Sequence, residues 1–327
     1  MDNQAHLTEK QKDQLAVVLT EMEELFEGVV GTREGIEIDF QLKQNAVPFY
    51  ARPYSIPVAL QEITRNAIEM MCEQDILEES HEDTEWAAPT FAVPKKTVGV
   101  RIVSDFRGLN KWIKRSPWPM PTTCELLHRV GGMTWVTALD QILSYYTMVM
   151  APSVRKYLTI ILPWGKYRYK RMPMGLIISA DIFQREMTKL FSGLEFVMVY
   201  INDMLVVTKG SYEDHLQKLR IVLNRMRSKG IQLEPKKSFF CHTQVEYLGY
   251  IINRDGLKAQ PEKVDAIVNM ALPKTVKQLR GFVGLVNFYR DLWKKRAHHL
   301  APLTNLITKK KGVVKWNEEA KDAFKKV

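Results

Sequence analysis

The chain has 327 residues, with 47 Lys+Arg against 37 Asp+Glu and a formal net charge of +10. At 46% hydrophobic and 26% charged residues it is neither disordered nor coreless, and its length allows two or three structural units. Three scattered cysteines, Cys72, Cys124 and Cys241, form neither a disulfide framework nor a CxxC zinc pair. The polar start lacks a signal peptide, and no apolar run reaches the roughly 18–20 residues of a membrane span.

Residues 8–28 carry Leu15, Val18, Leu19, Met22 and Leu25 at helical spacing. Residues 29–54 read as loop with extended pieces. Ser55 and Pro57 open a helix that runs to about Asp75. Residues 80–97 read as irregular, and a strand follows over Gly99–Phe106. The centre is rich in β-branched and aromatic residues, with strands expected at Trp135–Leu139, Thr147–Ala151, Tyr157–Leu162 and Tyr167–Met172. Pro163 to Lys166 turns between the last two. A helix over Ser179–Phe191 precedes two apolar runs, Phe196–Ile201 and Met204–Val207, around the polar pair Asn202-Asp203, which is a hairpin signal. Ser211 caps a helix that ends at Gly230, and Thr275 to Gln278 fits a capping box for another. A central sheet with helices set between strands indicates an α+β fold.

Charge is unevenly distributed. Residues 1–100 hold 8 Lys+Arg and 19 Asp+Glu, residues 101–250 hold 22 and 11, and residues 251–327 hold 17 and 7. An acidic leader thus precedes a strongly basic body, which suits either a polyanionic partner such as nucleic acid or simply a solvated basic surface. Asp140 ends one apolar strand, and Asp203 sits at the tip of the hairpin. A carboxylate beside apolar sequence needs compensation, and a divalent cation can supply it. Ordinary turn aspartates are the other reading.

The order of the motifs decides between these readings. Arg101-Ile102-Val103-Ser104-Asp105-Phe106-Arg107-Gly108-Leu109-Asn110 resembles the "R-x-x-x-D-(F/Y)-R-x-L-N" block of reverse transcriptases. Ala138-Leu139-Asp140 with Tyr145 resembles their first catalytic block. Met172-Pro173-Met174-Gly175-Leu176 and Phe183-Gln184 resemble "MPFGL…FQ", and Tyr200-Ile201-Asn202-Asp203 stands where "(Y/F)-x-D-D" is usual. Leu233-Glu234-Pro235-Lys236-Lys237, Tyr247-Leu248-Gly249-Tyr250 and Leu279 to Arg290 resemble "L-x-P-x-K", "(F/Y)-L-G-x" and "L-x-x-F-L-G-L-x-N-Y-Y-R". Seven blocks in order, over roughly residues 45–327, resemble the polymerase of gypsy-class LTR retrotransposons.

The resemblance implies a right-hand polymerase of fingers, palm and thumb that extends a primer on an RNA or DNA template. Its substrates would be deoxynucleoside triphosphates, with two Mg²⁺ ions, or Mn²⁺, as cofactors. It implies an acidic leader over 1–45, fingers and palm over 46–250, and thumb and connection over 251–327, ending before an RNase H region. RNase H and integrase regions of the same polyprotein would be partners, and the setting would be the cytoplasm, within a virus-like particle, or the nucleus. Asp140 and Asp203 would bind metal, with Asn202 at the third catalytic position. Arg101 would contact the triphosphate, with Lys95 and Lys96 near it. Tyr145 would lie under the sugar, Met174 and Gly175 would line the nucleotide pocket, and Tyr247, Leu248 and Gly249 would place the primer end. Lys294-Lys295-Arg296 and Lys309-Lys310-Lys311 would face duplex phosphates.

Several positions depart from the family pattern. Asn202 replaces an Asp and brings one neutral carbonyl oxygen where Mg²⁺ prefers a carboxylate. Ile142-Leu143-Ser144-Tyr145-Tyr146 stands where "S-G-Y-H" is usual, and Ile177 to Gln184 where "T-N-A-P-A-T-F-Q" is usual. The first change implies weakened polymerisation. A catalytically inactive nucleic-acid-binding protein of the same fold, and a metal-dependent nuclease, are the competing readings. Primer extension, binding without extension, or strand degradation would distinguish them.

Overall fold

The computed structural model describes residues 5–33, 35–95, 99–122, 125, 129–293, 295–307 and 312–326. The chain forms two compact units. One comprises Met1–Pro121 and Trp135–His242, the other Thr122–Thr134 and Thr243–Val327. The division therefore falls between His242 and Thr243 rather than after Tyr250, and the acidic leader belongs to the first unit. Cys124, Lys96, Lys294 and Lys309 to Lys311 lie outside the described residues.

The first unit opens with helix α1 (Glu9–Thr20), shorter than its sequence periodicity suggests. Thr8 caps it, with Gln11 completing a capping box, and a 3₁₀ turn over Glu23–Phe26 carries the remaining apolar positions. Next come β1 (Glu37–Ile38), α2 (Val58–Glu73), β2 (Leu77–Glu79), β3 (Ala88–Pro94) and β4 (Val100–Ser104). Strand β3 lies in a stretch expected to be irregular, because prolines bracket it. Pro89 and Pro94 sit near its ends, where a missing N–H is tolerated. The five-stranded sheet runs β2-β8-β7-β3-β4, with β7 (Thr159–Leu162) and β8 (Gly165–Tyr169) forming the predicted hairpin.

A second sheet carries the chemistry. Its order is β11-β5-β10-β9, from β5 (Trp135–Leu139), β9 (Val197–Tyr200), β10 (Asp203–Thr208) and β11 (Phe239–His242). The expected strand over Thr147–Ala151 shrinks to β6 (Val149–Met150), which pairs with β1. Helices α3 (Ser179–Leu190) and α4 (Tyr212–Arg227) pack on the four-stranded sheet. Ser211 caps α4 as expected, accepting from Asp214 N–H at 3.3 Å.

The leader's apolar residues are core. Leu15, Val18, Met22, Leu25 and Ile38 are all buried in one cluster with the strands and helices of this unit. Backbone hydrogen bonds tie the segment down: Leu233 N–H donates to Leu25 O at 2.7 Å, and Arg33 N–H to Thr147 O at 2.8 Å. Arg33 itself is buried, its guanidinium 5.3 Å above the Phe183 ring, and burial lowers its pKa to about 10.

The second unit holds a three-stranded meander of β12 (Gln244–Tyr247), β13 (Tyr250–Asn253) and β14 (Gly256–Ala259). Helices α5 (Pro261–Val268), α6 (Val276–Phe288), α7 (Arg296–Asn305) and α8 (Glu318–Lys326) follow. The predicted Thr275–Gln278 capping box opens α6. Leu279, Phe282 and Val286 face a small core with Leu300, Leu303 and Ala320.

Two outcomes follow. Leu25 is 1% exposed, so Leu25→Ala should cost about 2–5 kcal/mol in a urea unfolding titration; a separable leader would leave the midpoint unchanged. His215 is fully buried on α4 between the hydroxyls of Thr137 (2.8 Å) and Thr208 (2.9 Å), and desolvation lowers its pKa from 6.5 to about 4. The unfolded chain therefore takes up a proton first. Stability should be full above pH 6.5 and fall by about 3 kcal/mol as pH drops toward 4, a loss absent in His215→Gln.

Candidate active site

The register of β5 and β10 creates the site. Met204 pairs with Leu139, so one step further the antiparallel ladder sets Asp203 opposite Asp140. Two like charges facing across strands repel. The Asp203 carboxyl is raised in pKa, chiefly by desolvation and then by the charge of Asp140, although its outer side meets solvent. Lys237 Nζ stands 3.4 Å from Asp140 Oδ2 and partly offsets that charge.

The hairpin turn lies one residue earlier than the polar pair suggests. Tyr200 pairs with Asp203, leaving Ile201 and Asn202 as the two loop residues. Ile201 adopts φ 53, an uncommon conformation for a β-branched residue. Gln184, buried on α3, holds it. Its Oε1 accepts from Ile201 N–H at 2.7 Å, and its Nε2 donates to Val199 O at 3.0 Å. Asn202 is held from the other side, with Oδ1 accepting from the Ser144 hydroxyl at 2.8 Å.

A cavity of about 910 Å³ opens here. Asp140, Asn202, Ser144 and Lys237 line one part of it, and Arg101 and Lys95 from the β3–β4 pair another. Met174 lines it and is exposed. Helix α2 contributes Ala67, Met70, Met71 and Gln74, which the sequence reading did not single out.

Among the expected site residues, Asp140, Asn202, Arg101 and Met174 meet at this cavity, with Asp203 beside Asn202 on the turn. Tyr145, expected under the sugar, packs on Phe183 with ring centroids 5.1 Å apart and is not among the lining residues. Its neighbour Tyr146 is. Tyr146 stacks on Tyr169, whose hydroxyl lies 3.2 Å from Ser104 Oγ; that hydroxyl in turn accepts from Thr90 Oγ1 at 3.0 Å. This buried hydroxyl chain fixes the cavity floor. Gly175 turns at φ 92, and Asn110 clamps its loop by donating to Gly175 O (2.8 Å) and accepting from Ile177 N–H (2.9 Å). Two sequence blocks thus join through one side chain.

Tyr247, Leu248 and Gly249 belong to the second unit. Leu248 and Gly249 form the β12–β13 turn with φ 48 and 84. The Tyr289 hydroxyl donates to Gly249 O at 3.1 Å, and a Cβ on Gly249 would meet Phe288 at 2.8 Å.

The donor set tests the implied metal pair. Among the described residues no cluster of three or more His, Cys, Asp or Glu side chains is placed to hold an ion. Two carboxylates facing each other fit one divalent cation. They fit a second poorly, because the third position is a neutral amide that brings no negative charge and has one of its two lone pairs engaged by the Ser144 hydroxyl.

Asp181 is one of the departures from the family pattern, and the fold accommodates it. The carboxylate is buried, and Arg115 engages both of its oxygens at 2.7 and 3.2 Å while Trp118 N–H adds a third bond at 3.2 Å. Arg115→Ala should lower the midpoint of thermal unfolding, with Asp181→Ala recovering most of the loss in the double variant. Additive losses would show that the two do not act as a pair.

Residues 93–252 match the family described as reverse transcriptase (RNA-dependent DNA polymerase). The retrovirus-related Pol polyprotein from transposon opus of Drosophila melanogaster is 33% identical over 266 residues, 79% of this chain and 26% of that protein. The Pol polyprotein from transposon gypsy of the same organism is 28% identical over 298 residues, 86% of this chain and 28% of that protein. The chain thus spans about a quarter of the length of the curated relatives it matches. The foamy viral protease-reverse transcriptase in complex with dsDNA superposes with a TM-score of 0.87 at 22% identity, covering 99% of this chain and 68% of that one. The same enzyme with an RNA/DNA hybrid gives 0.85 at 22% identity, covering 99% and 44%. This likeness shows the fold.

Proposed function

The chain carries a reverse transcriptase region of the kind found in LTR-retrotransposon Pol polyproteins, and we propose that its cavity takes a deoxynucleoside triphosphate for addition to a primer on an RNA or DNA template. The observation that carries this reading is a cavity lined by Asp140, Asn202, Arg101 and Lys95, with Asp203 next to Asn202 in sequence and close enough to Asp140 to feel its charge. In these terms the first unit supplies fingers and palm and the second the thumb.

The reaction joins a primer 3′-hydroxyl to the α-phosphate, with pyrophosphate leaving. Arg101 projects a planar guanidinium suited to bidentate contact with phosphate oxygens, and Lys95 adds a point charge to the same wall. Tyr146 and the hydroxyl chain behind it give a rigid floor, with Tyr145 and Phe183 packed beneath the catalytic strand. Met174 and the α2 methionines form the apolar wall. A divalent cation between Asp140 and Asp203, Mg²⁺ or Mn²⁺, would neutralise their mutual repulsion and orient phosphate oxygens. The basic body over 101–327 offers phosphate contacts to a template–primer duplex, and Tyr247, Leu248 and Gly249 a rigid turn for the primer end. RNase H and integrase regions would be supplied by the remainder of a polyprotein, in the cytoplasm or nucleus.

Asn202 weakens this chemistry. Lacking one carboxylate, the chain should extend a primer slowly, and Asn202→Asp should raise extension by orders of magnitude. Equal, robust extension by both forms would refute this. Affinity for the duplex should fall steeply with salt, in proportion to the phosphates neutralised, and an anisotropy titration flat from about 50 to 200 mM salt would remove the duplex channel.

A further inference from the structure

Ser144 and Asn202 are 58 residues apart, and both stand at positions that depart from the family pattern. They also meet. The Ser144 hydroxyl, on a residue only 2% exposed, donates to Asn202 Oδ1 at 2.8 Å. Each is preceded by a non-glycine residue in the left-handed region, Leu143 at φ 43 and Ile201 at φ 53. Such conformations are strained for non-glycine residues and persist only where their surroundings fix them. Here those surroundings are visible. Ile201 N–H is bonded to Gln184 Oε1, and Tyr146 N–H donates to Leu143 O at 2.8 Å.

We infer that Ser144 and Asn202 are a matched pair: a neutral hydrogen-bonded brace that locks the hairpin turn against the end of β5 and leaves the Asp140–Asp203 pair to bind one divalent cation rather than two. An Asn side chain has a single carbonyl oxygen, and the Ser144 hydroxyl occupies it on the side facing β5. The brace does the positioning that a shared cation would otherwise do at this corner, and it needs no ion to form. The two departures therefore act together. A carboxylate placed at 202 would keep the Ser144 hydroxyl on one oxygen and offer the other, with its charge, to a second ion, a ligand that the amide lacks.

The brace itself stands on geometry alone, whereas the ion count rests on the polymerase reading. The test separates them. Thermal unfolding of the full chain without divalent ions or nucleic acid addresses the brace. Ser144→Ala should lower the midpoint by about 2–4 °C, and the loss should largely vanish when Ser144→Ala is compared in an Asn202→Ala background. Mn²⁺ counted by electron paramagnetic resonance, on a complex with a dideoxy-terminated template–primer and the matching deoxynucleoside triphosphate, addresses the site. One bound Mn²⁺ per complex, the nucleotide's included, is expected for wild type and Ser144→Ala, and two for Asn202→Asp, alone or with Ser144→Ala. A second ion in wild type, or none, overturns the one-ion site. An unchanged midpoint in Ser144→Ala, or additive losses, overturns the brace. Failure of the duplex to bind, read by anisotropy in the same samples, would count against the polymerase reading and the one-ion site together, and leave the melting result to decide the brace.

Discussion

Two carboxylates are forced to face each other where β5 and β10 meet. The ladder Met204↔Leu139 to Thr208↔Trp135 is fixed by the apolar faces of both strands, which are buried between helices and cannot slip by one residue without turning the core outward. The repulsion between Asp140 and Asp203 is thus a consequence of packing elsewhere. Burial first, and then the charge of Asp140, raises the Asp203 carboxyl, while Lys237 Nζ stands 3.4 Å from Asp140 Oδ2. The rest of the first unit can be understood as support for that unfavourable pairing. Gln184 holds the turn from α3, Ser144 holds it from the other side, and His215 with its two threonines closes the core beneath the same sheet.

Such support comes from far along the chain. The 3₁₀ turn at Glu23–Phe26 and the segment through Arg33 are bonded to Leu233, Gln232 and Thr147, so residues read as an acidic leader are tied into the unit that holds the four-stranded sheet. Most of their acidic side chains are exposed, while Leu15, Val18, Met22 and Leu25 are buried. A segment-wide charge count averages these two faces and hides the second.

What the sequence discloses follows the range of the interaction that determines it. Ser211 and the Thr275–Gln278 box were legible because a cap is decided within four residues. The β7–β8 hairpin and the catalytic strands were legible because alternation and turn residues are also local. Strand β3 was not, since Pro89 and Pro94 argue against a strand unless the sheet position is known. The turn was misplaced by one residue because the polar pair Asn202-Asp203 attracts the assignment, whereas the backbone puts the apolar Ile201 in the left-handed corner. Register with the family block marked Tyr145 as the sugar-facing ring, and Tyr146 beside it is the one that lines the cavity. Which of two adjacent tyrosines faces outward depends on a 3₁₀ turn over Ser144–Thr147, which carries no period-two signal.

The departures from the family pattern show most clearly why residues cannot be read singly. Asp181 alone is a buried charge, and with Arg115 it is a satisfied pair on a half-exposed guanidinium. Asn202 alone is a lost ligand, and with Ser144 it is part of a hydrogen-bonded corner. In both cases a change that should destabilise the fold meets a partner far away in sequence that accommodates it. A chain accumulating unrelated changes would leave buried polar atoms without partners at such places. Here the Asp181 carboxylate and the Asn202 carbonyl oxygen are both bonded, so the altered corner is a coherent structure in its own right. The bond that fixes this corner is between neutral groups and forms without an ion.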